Sequence, residues 1–360
     1  MGHAGYLTSV SILPLFGHDA LRTRLAALAD QGTLPATILL QGPAGVGKQR
    51  LALWLGQRLL CEAERKPCGS CQQCRLAESL QHPDLRWCFP QQRVSGDKPE
   101  PDEVDELILA EVGERRDAHG LYARPDGSKA IYHYVAPLLV HLAAKSPSLA
   151  RRKVFVIGDA ERMVPQESAQ EMANAMLKLL EEPPANTTFI LTSSEPGMLL
   201  PTIRSRTVSF RVAPLAEPDV RAFLADPRVA AVVPNEPIDT LVRLASGAPG
   251  TLIGDGARET AVARARQILA AAEGGREAVL KAAFAVGSAG ARGGFSDTLD
   301  ALSVLLHERA RDATTRGDGR RALWAVRAIP AVEDAKRDAE GNANPQLVTA
   351  RLLTLLAGAA

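Results

Sequence analysis

A glycine-rich loop joins two segments of different periodicity near the start of the chain, and it constrains the fold more than any other feature. Residues 37–40 form a short apolar run that predicts a buried strand, and residues 49–60 are rich in Leu, Ala and Arg and predict a helix. The loop between them reads Gly42-Pro43-Ala44-Gly45-Val46-Gly47-Lys48. This order of elements is typical of a phosphate-binding loop, in which backbone N–H groups, a helix N-terminus and a lysine ammonium group attract phosphate oxygens.

The segments that follow predict the class of fold. Further apolar runs at residues 154–157 and 189–191 and an alternating segment at residues 208–212 predict strands, and residues 166–182 predict a long helix. Strands that alternate with helices form a parallel sheet that is covered on both faces. We therefore expect an α/β domain over residues 1–212.

The rest of the chain differs in character. An acidic stretch at residues 91–128 is flanked by Pro and Gly, and we interpret it as an exposed insertion with one short helix around residues 104–112. After Pro214 the sequence changes to short helical segments over residues 213–257. Residues 258–360 are rich in Ala, Leu and Arg and predict a helical bundle.

Two positions near the loop depart from the pattern of a working ATPase. Gln49 stands where a Ser or Thr hydroxyl ligates magnesium, and Gly158-Asp159 follows a predicted strand where an Asp-Glu pair is usual. The acid on the metal side is missing, although Asp159 could still ligate metal. We expect bound ATP or ADP with little support for Mg²⁺, and hydrolysis that is weak or absent. The predicted nucleotide-binding residues are Gly42, Gly45, Gly47, Lys48, Gln49 and Asp159.

Four cysteines fall within fourteen residues just after the predicted P-loop helix. They are Cys61, Cys68, Cys71 and Cys74. Four thiolates at this spacing suit a tetrahedral Zn²⁺ site with a structural role, because four protein ligands leave no open coordination position. An Fe–S cluster also takes four thiolates, but more apolar shielding around the run would be expected. Cys88 is expected to be a buried free thiol, and His82-Pro83-Asp84 favours loop geometry over metal ligation.

Composition disfavours several classes of protein. Lys and Arg number 42 against 41 Asp and Glu, so the chain lacks the basic excess of a dedicated DNA-binding protein. Aromatic residues make up 4% of the chain, which provides few platforms for base stacking. No apolar run approaches the roughly 18–20 residues of a membrane span, and the N-terminus lacks the pattern of a signal peptide. We expect a cytoplasmic protein without membrane contact.

Three motifs together resemble one family. The P-loop, the four-cysteine module after its helix and the sequence LKLLEEPP at residues 177–184 resemble the bacterial AAA+ clamp-loader family, the gamma/tau and delta-prime subunits of DNA polymerase III. The sequence PTIRSRT at residues 201–207 is similar to the family's Ser-Arg-Cys motif. The resemblance covers about residues 15–89 and 150–255. It implies an AAA+ P-loop domain with a zinc-binding module at residues 61–74, followed by the domains described next.

The resemblance assigns the segments after residue 212. Residues 213–257 correspond to a small helical lid, and residues 258–360 to a C-terminal helical collar used for oligomerisation. The implied partners are the gamma/tau and delta subunits in a hetero-oligomer, with the sliding clamp and primed DNA reached through the complex. As a component of DNA polymerase III, the chain would carry no polymerase chemistry of its own, and its status as an enzyme stays open.

The resemblance also implies roles for single residues. In this family the motif arginine, here Arg206, projects onto the nucleotide of a neighbouring subunit and stabilises charge on the transferring phosphoryl group. A polar residue at 192–194 would report the γ-phosphate, and Thr251 stands where a second sensor arginine is usual. An Arg206 that is retained while Gln49, Gly158 and Thr251 depart favours the delta-prime role, a stator that donates a finger during clamp loading.

Three alternatives stay open on the sequence. One is an active gamma/tau-type ATPase, the second is an independent AAA+ DNA motor such as a branch-migration helicase, and the third is a DNA-binding zinc protein. The degraded metal site disfavours the first two, and the zinc module also disfavours the second. The near-neutral charge disfavours the third.

Overall fold

A computed structural model describes most of the chain. The described residues are 10–92, 99–122, 129–163, 170–254, 257–274, 278, 292–340 and 344–359. The chain divides between Ile253 and Gly254 into two compact units. Among the described residues, no helix combines the length and the apolar character needed to cross a bilayer.

The first unit is built on a five-stranded parallel sheet with the order β2-β3-β4-β1-β5. The strands are β1 (Thr37–Gln41), β2 (Leu85–Cys88), β3 (Lys153–Ile157), β4 (Thr187–Ser193) and β5 (Val208–Arg211). Every residue of β3 and β4 is buried, and the rings of Phe155 and Phe189 stack at 5.0 Å between neighbouring strands. Strands buried on both faces form continuous apolar runs, which is why β1, β3 and β4 are visible in the sequence, whereas β5 lies at the edge of the sheet and only its Phe210 is buried.

Seven helices surround this sheet in the described part of the first unit up to β5. They are α1 (Asp19–Asp30), α2 (Lys48–Leu60), α3 (Gln72–Glu78), α4 (Pro101–Asp117), α5 (Val135–Ala144), α6 (Gln170–Glu181) and α7 (Pro201–Arg204). The predicted helices at 49–60 and 166–182 correspond to α2 and α6, although residues 164–169 lie outside the described part of the chain. Leu51 and Leu55 of α2 are fully buried, because residues four apart lie on the same face of a helix.

The interpretation of residues 91–128 as an exposed insertion is wrong for one face of the helix at its centre. α4 is longer than the predicted helix and begins with a capping box, in which Glu100 caps the first turn and Glu103 reaches back to the Glu100 backbone N–H. Val104, Ile108 and Val112 recur every four residues and are buried in the main core of the unit. The acidic residues hide this apolar stripe in the sequence. Residues 93–98 and 123–128 of the stretch lie outside the described part.

A group of short helices follows the sheet within the first unit. It comprises α8 (Glu217–Leu224), α9 (Pro227–Ala230), α10 (Ile238–Ala245) and a 3₁₀ turn (Pro249–Leu252). These elements share a small core of their own that includes Val220, Leu224, Val229, Leu241 and Leu252. Short helices of this kind depend on the burial of such apolar residues, because isolated helices of one or two turns are unstable in water.

The second unit is helical in its described part. It contains α11 (Ala257–Glu273), α12 (Arg292–Thr315), α13 (Gly319–Glu340) and α14 (Pro345–Ala359). Leu299, Leu302 and Leu306 of α12 pack with Val332 of α13 and Leu352 of α14 in one apolar core. The fold class predicted from the sequence is therefore confirmed: an α/β domain with a parallel sheet is followed by a small helical part and C-terminal helices.

Candidate functional site

The carboxyl ends of three neighbouring strands form the candidate site. β1 leads into the glycine loop at residues 42–47, β3 leads into Gly158 and Asp159, and β4 ends at Ser193 immediately before Ser194. β4 lies between β1 and β3 in the parallel sheet, so the three segments meet at one edge. The structure thus brings the predicted phosphate loop and the predicted acidic segment together.

Glycines shape the loop for two different reasons. Gly45 and Gly47 have φ values of 76° and 92°, in the left-handed region that favours glycine. Gly42 has no room for a side chain, because a Cβ there would lie 2.1 Å from the Val212 carbonyl oxygen. A Cβ on Gly45 would also meet the backbone nitrogen of Thr251 at 2.6 Å. The backbone path of the loop therefore requires glycine at these three positions.

Lys48 is buried under this loop. Its Nζ donates to the carbonyl oxygens of Gly42 at 2.9 Å and Pro43 at 2.8 Å, and to Ser194 Oγ at 2.9 Å. Of the three residues proposed to sense a phosphate, Ser194 is therefore the one in contact with Lys48. Thr192 instead accepts a hydrogen bond at its Oγ1 from the Asp159 backbone N–H at 3.1 Å. A phosphate group in the loop would compete with the two carbonyl groups for the ammonium group.

The Gln49 side chain lies against Gly158, the position at which the ATPase pattern has a metal-binding acid. Its Oε1 accepts a hydrogen bond from Trp87 Nε1 at 2.9 Å, and its Nε2 donates to Asp159 Oδ2 at 3.0 Å. A Cβ on Gly158 would lie 2.3 Å from Oε1, 2.5 Å from Cδ and 2.7 Å from Nε2 of this amide. Real Cβ atoms do not approach other atoms this closely, so a side chain at position 158 would require the Gln49 amide to move.

Glu161 is a site residue that the sequence reasoning did not select. Its Oε1 accepts a hydrogen bond from the Ser194 backbone N–H at 3.0 Å, so it lies beside the serine that contacts Lys48. Burial, together with the nearby charge of Asp159, raises the pKa of the Glu161 carboxyl group. The available signal was its position two residues after Asp159 at the end of a buried strand.

The 3₁₀ turn after α10 packs directly against the phosphate loop. The Gly250 N–H donates to the Gly45 carbonyl oxygen at 2.9 Å. Thr251, which stands where a second sensor arginine is usual, donates its hydroxyl hydrogen to the Ala248 carbonyl oxygen at 2.8 Å. Thr251 thus lies against Gly45 and carries no positive charge toward the loop.

Arg206 follows α7 and lies on the surface of the first unit. Its Nε pairs with Glu181 Oε2 at 3.1 Å at the end of α6, and its Nη1 donates to the Thr202 carbonyl oxygen at 2.9 Å. The Arg206 side chain is 29% exposed and the Glu181 side chain 55%. The guanidinium group is held by its own chain; its Nε atom is buried, while the Glu181 side chain is more than half exposed to solvent.

The four clustered cysteines bring their sulfur atoms together beside α3. Their Sγ atoms all lie within 4.8 Å of one another, with Cys61 and Cys71 at 3.9 Å and Cys68 and Cys74 also at 3.9 Å. Four sulfur atoms around one Zn²⁺ at about 2.3 Å would be about 3.8 Å apart. The cluster therefore fits a tetrahedral metal ion and could hold one. Cys88 is buried in the main core, outside this cluster.

Backbone N–H groups point at two of these sulfur atoms. The Cys71 N–H points at Cys68 Sγ at 3.3 Å, and the Cys74 N–H points at Cys71 Sγ at 3.4 Å. Hydrogen bonds from Cys71 and Ser70 lower the pKa of the Cys68 thiol to about 6, which favours the thiolate that a metal requires. His82, the other possible ligand, instead bonds Gln73 Oε1 at 2.7 Å.

Comparisons with known proteins point to one group. The family model described as "DNA polymerase III, delta subunit" matches residues 17–216, more than half of the chain. A DNA polymerase III subunit delta' of Pseudomonas aeruginosa is 34% identical over 229 residues, which is 61% of this chain and 56% of that relative. The Escherichia coli K12 protein of the same name is 29% identical over 232 residues, 64% of this chain and 57% of that relative. This chain therefore spans a little over half the length of these relatives.

The similarity to solved structures is weaker than the similarity to these sequence relatives. A DNA polymerase III, gamma subunit-related protein from Thermotoga maritima aligns with 94% of this chain and 98% of its own, at a TM-score of 0.43 and 15% sequence identity.

Proposed function

Since the chain belongs to the DNA polymerase III delta-subunit family, we propose that it acts as a delta-prime-type clamp-loader subunit that supplies Arg206 to the nucleotide of a neighbouring subunit. In this role the chain is a stator. It assembles with gamma/tau and delta subunits, and through the complex it takes part in loading the sliding clamp onto primed DNA. Its own phosphate loop contributes no hydrolysis.

The observation that carries this proposal is the contrast between Gln49 and Arg206. Position 158 is a glycine and the Gln49 amide lies in the space beside it, so the site lacks the carboxylate that the ATPase pattern places there for the metal ion. Arg206, by contrast, is retained at a surface position. A subunit that lacks this acid but has a partly exposed arginine at position 206 is suited to serve the nucleotide of another subunit.

The contacts of Arg206 also suit a transferable arginine. Its ion pair with Glu181 is partly exposed, and exposed ion pairs contribute only about 0–1 kcal/mol. The guanidinium group can therefore leave Glu181 for a phosphate oxygen of a neighbouring subunit at little cost. A phosphate also binds a guanidinium group in two-pronged geometry, which compensates for the lost pair.

The remaining assignments follow from the same role. The cysteine cluster is proposed to hold a structural Zn²⁺ ion through Cys61, Cys68, Cys71 and Cys74. The phosphate loop is proposed to bind ATP or ADP. Residues 213–257 would act as the lid, and residues 258–360 as the collar that joins the subunits. A protein with this role would work in the cytoplasm.

The test of the arginine finger uses the reconstituted loader. Arg206→Ala is expected to leave the protein folded and to lower the ATPase rate stimulated by primed DNA and clamp severalfold, because charge on the transferring phosphoryl group loses its partner. Arg204→Ala, an exposed arginine on α7, is the matched control and should leave the rate unchanged. Equal rates for wild type and Arg206→Ala, or an equal loss in Arg204→Ala, would contradict the assignment.

A second measurement separates the stator from the gamma/tau-type ATPase. The isolated chain is expected to release no phosphate from ATP. Steady phosphate release that disappears in Lys48→Ala would favour an active ATPase subunit instead.

A further inference from the structure

We infer that Gln49 closes the metal position beside the phosphate loop, so that the loop takes the phosphate groups of a nucleotide without a divalent cation. The inference rests on the proposed function in one respect only, that the loop around Lys48 binds a nucleotide. It goes further because it treats Gln49 and Gly158 as one arrangement. The two departures from the ATPase pattern are linked, because the Gln49 amide occupies the space that a side chain at position 158 would need.

The first argument is space. A Cβ on Gly158 would lie between 2.3 and 2.7 Å from three atoms of the Gln49 amide. The acid that would hold the metal from this position cannot be present while Gln49 keeps its place. Mg²⁺ demands near-octahedral oxygen ligands at about 2.0–2.1 Å, whereas here Gln49 Oε1 is bonded to Trp87 and Asp159 Oδ2 is bonded to Gln49. The residues of this site therefore do not fit Mg²⁺.

The second argument is that the Gln49 amide is held at both ends. Trp87 donates to its oxygen at 2.9 Å, and its nitrogen donates to Asp159 at 3.0 Å. The side chain is 8% exposed, so moving it away would leave a buried indole N–H without its acceptor. An unsatisfied buried donor costs about 1–3 kcal/mol. Gln49 also occupies the carboxylate oxygen of Asp159 that faces it.

The third argument concerns charge. Arg115 of α4 lies in an aromatic box, with its guanidinium carbon 3.2 Å from the ring centre of Phe89, 3.9 Å from Tyr122 and 4.7 Å from Trp87. Burial lowers the pKa of Arg115, while the carboxylate of Asp159 is among the charges that raise it. The inserted helix thus places a fixed positive charge in the field of Asp159 and packs it on the indole that holds Gln49. A built-in cation reduces the need for a bound one.

The first experiment measures ADP binding to the full chain by calorimetry, in 5 mM MgCl₂ and in EDTA. The dissociation constant is expected to agree within about twofold between the two buffers, and Lys48→Ala should abolish binding. Binding that weakens tenfold or more in EDTA would overturn the inference. So would a complete lack of ADP binding in both buffers. That second result would leave the Arg206 test of the proposed function untouched, because that test concerns a neighbour's nucleotide.

The second experiment tests the shared volume without any nucleotide. Gly158→Asp is expected to lower the melting temperature by about 3–8 °C through overpacking. Combining it with Gln49→Thr should recover more than half of that loss and create binding of Mn²⁺, measured by electron paramagnetic resonance. Gly158→Ala adds only the clashing carbon atom and provides the same comparison if Gly158→Asp does not fold. Additive losses in the double variants, or Mn²⁺ binding by wild type at the phosphate loop, would overturn the inference.

Discussion

Two regions of the first unit offer ligands for a divalent metal ion, and they differ in whether the site has space for the ion. In the cysteine cluster, four sulfur atoms lie at the spacing of a tetrahedron's edges. Beside the phosphate loop, Asp159 and Glu161 offer carboxylate oxygens, but the Gln49 amide fills the space next to Gly158. Both regions carry suitable donors, and only one leaves them free for a metal.

The difference shows what a motif can and cannot indicate. A motif counts donors, and it does so correctly for the cysteines because their spacing and the turn at Gly69, where φ is 72°, bring the sulfurs together. It also counts missing donors at Gln49 and Gly158. It does not indicate that a third residue, Trp87 on β2, forms a hydrogen bond with Gln49 and keeps its amide in the space beside Gly158. The cavity, and not the list of ligands, decides whether a metal binds.

The largest expected effect comes from breaking the cysteine cluster. Cys74→Ser removes one of four ligands from the buried side of the cluster, and we expect the chain to lose its bound zinc together with several kcal/mol of unfolding free energy. Structural zinc contributes on the order of 10 kcal/mol in small zinc-binding peptides. Zinc content by atomic emission and urea unfolding check this result.

A matched control exists in the same core. Cys88→Ser replaces a buried thiol outside the cluster and should retain one zinc ion per chain. If wild type contains no zinc, or if Cys74→Ser and Cys88→Ser retain it equally, the contrast between the two regions fails on the cysteine side.

A smaller effect is expected from removing one of the two hydrogen bonds that hold the Gln49 amide. Trp87→Phe removes the donor to Gln49 Oε1 and part of a buried ring, and the free energy of unfolding should fall by about 2–4 kcal/mol. Trp54 is a buried tryptophan on α2, so Trp54→Phe removes the same side-chain volume without removing a hydrogen bond to Gln49, and it is the control. Adding Gln49→Met should weaken the effect of Trp87→Phe but leave that of Trp54→Phe unchanged. Equal coupling in the two cycles would show that Trp87 does not hold Gln49.

Much of the fold could be predicted from the sequence, because β1, β3 and β4 are buried on both faces. The runs at 37–40, 154–157 and 189–191 contain few polar residues, residues 208–212 alternate between apolar and polar, and each segment corresponds to a strand. β2 was missed because it has only four residues and Arg86 interrupts its apolar pattern. That omission mattered, since β2 carries Trp87 to the site.

The limits of prediction at the site have a similar origin. Lys48, Gln49 and the four cysteines are local in sequence, so their chemistry can be predicted from spacing alone. Gln49, Trp87 and Gly158 come from three separate segments, and only the order of the strands brings them together. α4 was predicted too short because its many acidic residues obscure the pattern of one apolar residue per turn. The predicted helix therefore ended before Arg115.

The smallest expected effect sharpens the cysteine side of the comparison through pH. His82 links the cysteine segment to β2, because its Nε2 pairs with Gln73 on α3 and its Nδ1 accepts the Asp84 backbone N–H at 3.0 Å. Burial lowers the pKa of His82 below its ordinary value of 6.5, and protonation would remove the Nδ1 acceptor. The folded state therefore binds this proton less readily than the unfolded state does. Stability is fully present above pH 6.5 and is lost as the pH falls toward the lowered pKa.

The corresponding variant is His82→Gln, which keeps a polar side chain but does not titrate. Between pH 7.5 and 5.5, the free energy of unfolding should fall more for wild type than for His82→Gln, when both are measured by urea denaturation with zinc present. His141→Gln, on α5, is the control for general effects of histidine titration. Parallel pH curves for wild type and His82→Gln would mean that the attachment of the cysteine segment does not depend on a neutral His82. If acid released zinc before it lowered the free energy of unfolding, the acid sensitivity would instead belong to the thiolates, which must be deprotonated to hold a metal. The Gln49 amide, by contrast, needs no change of protonation.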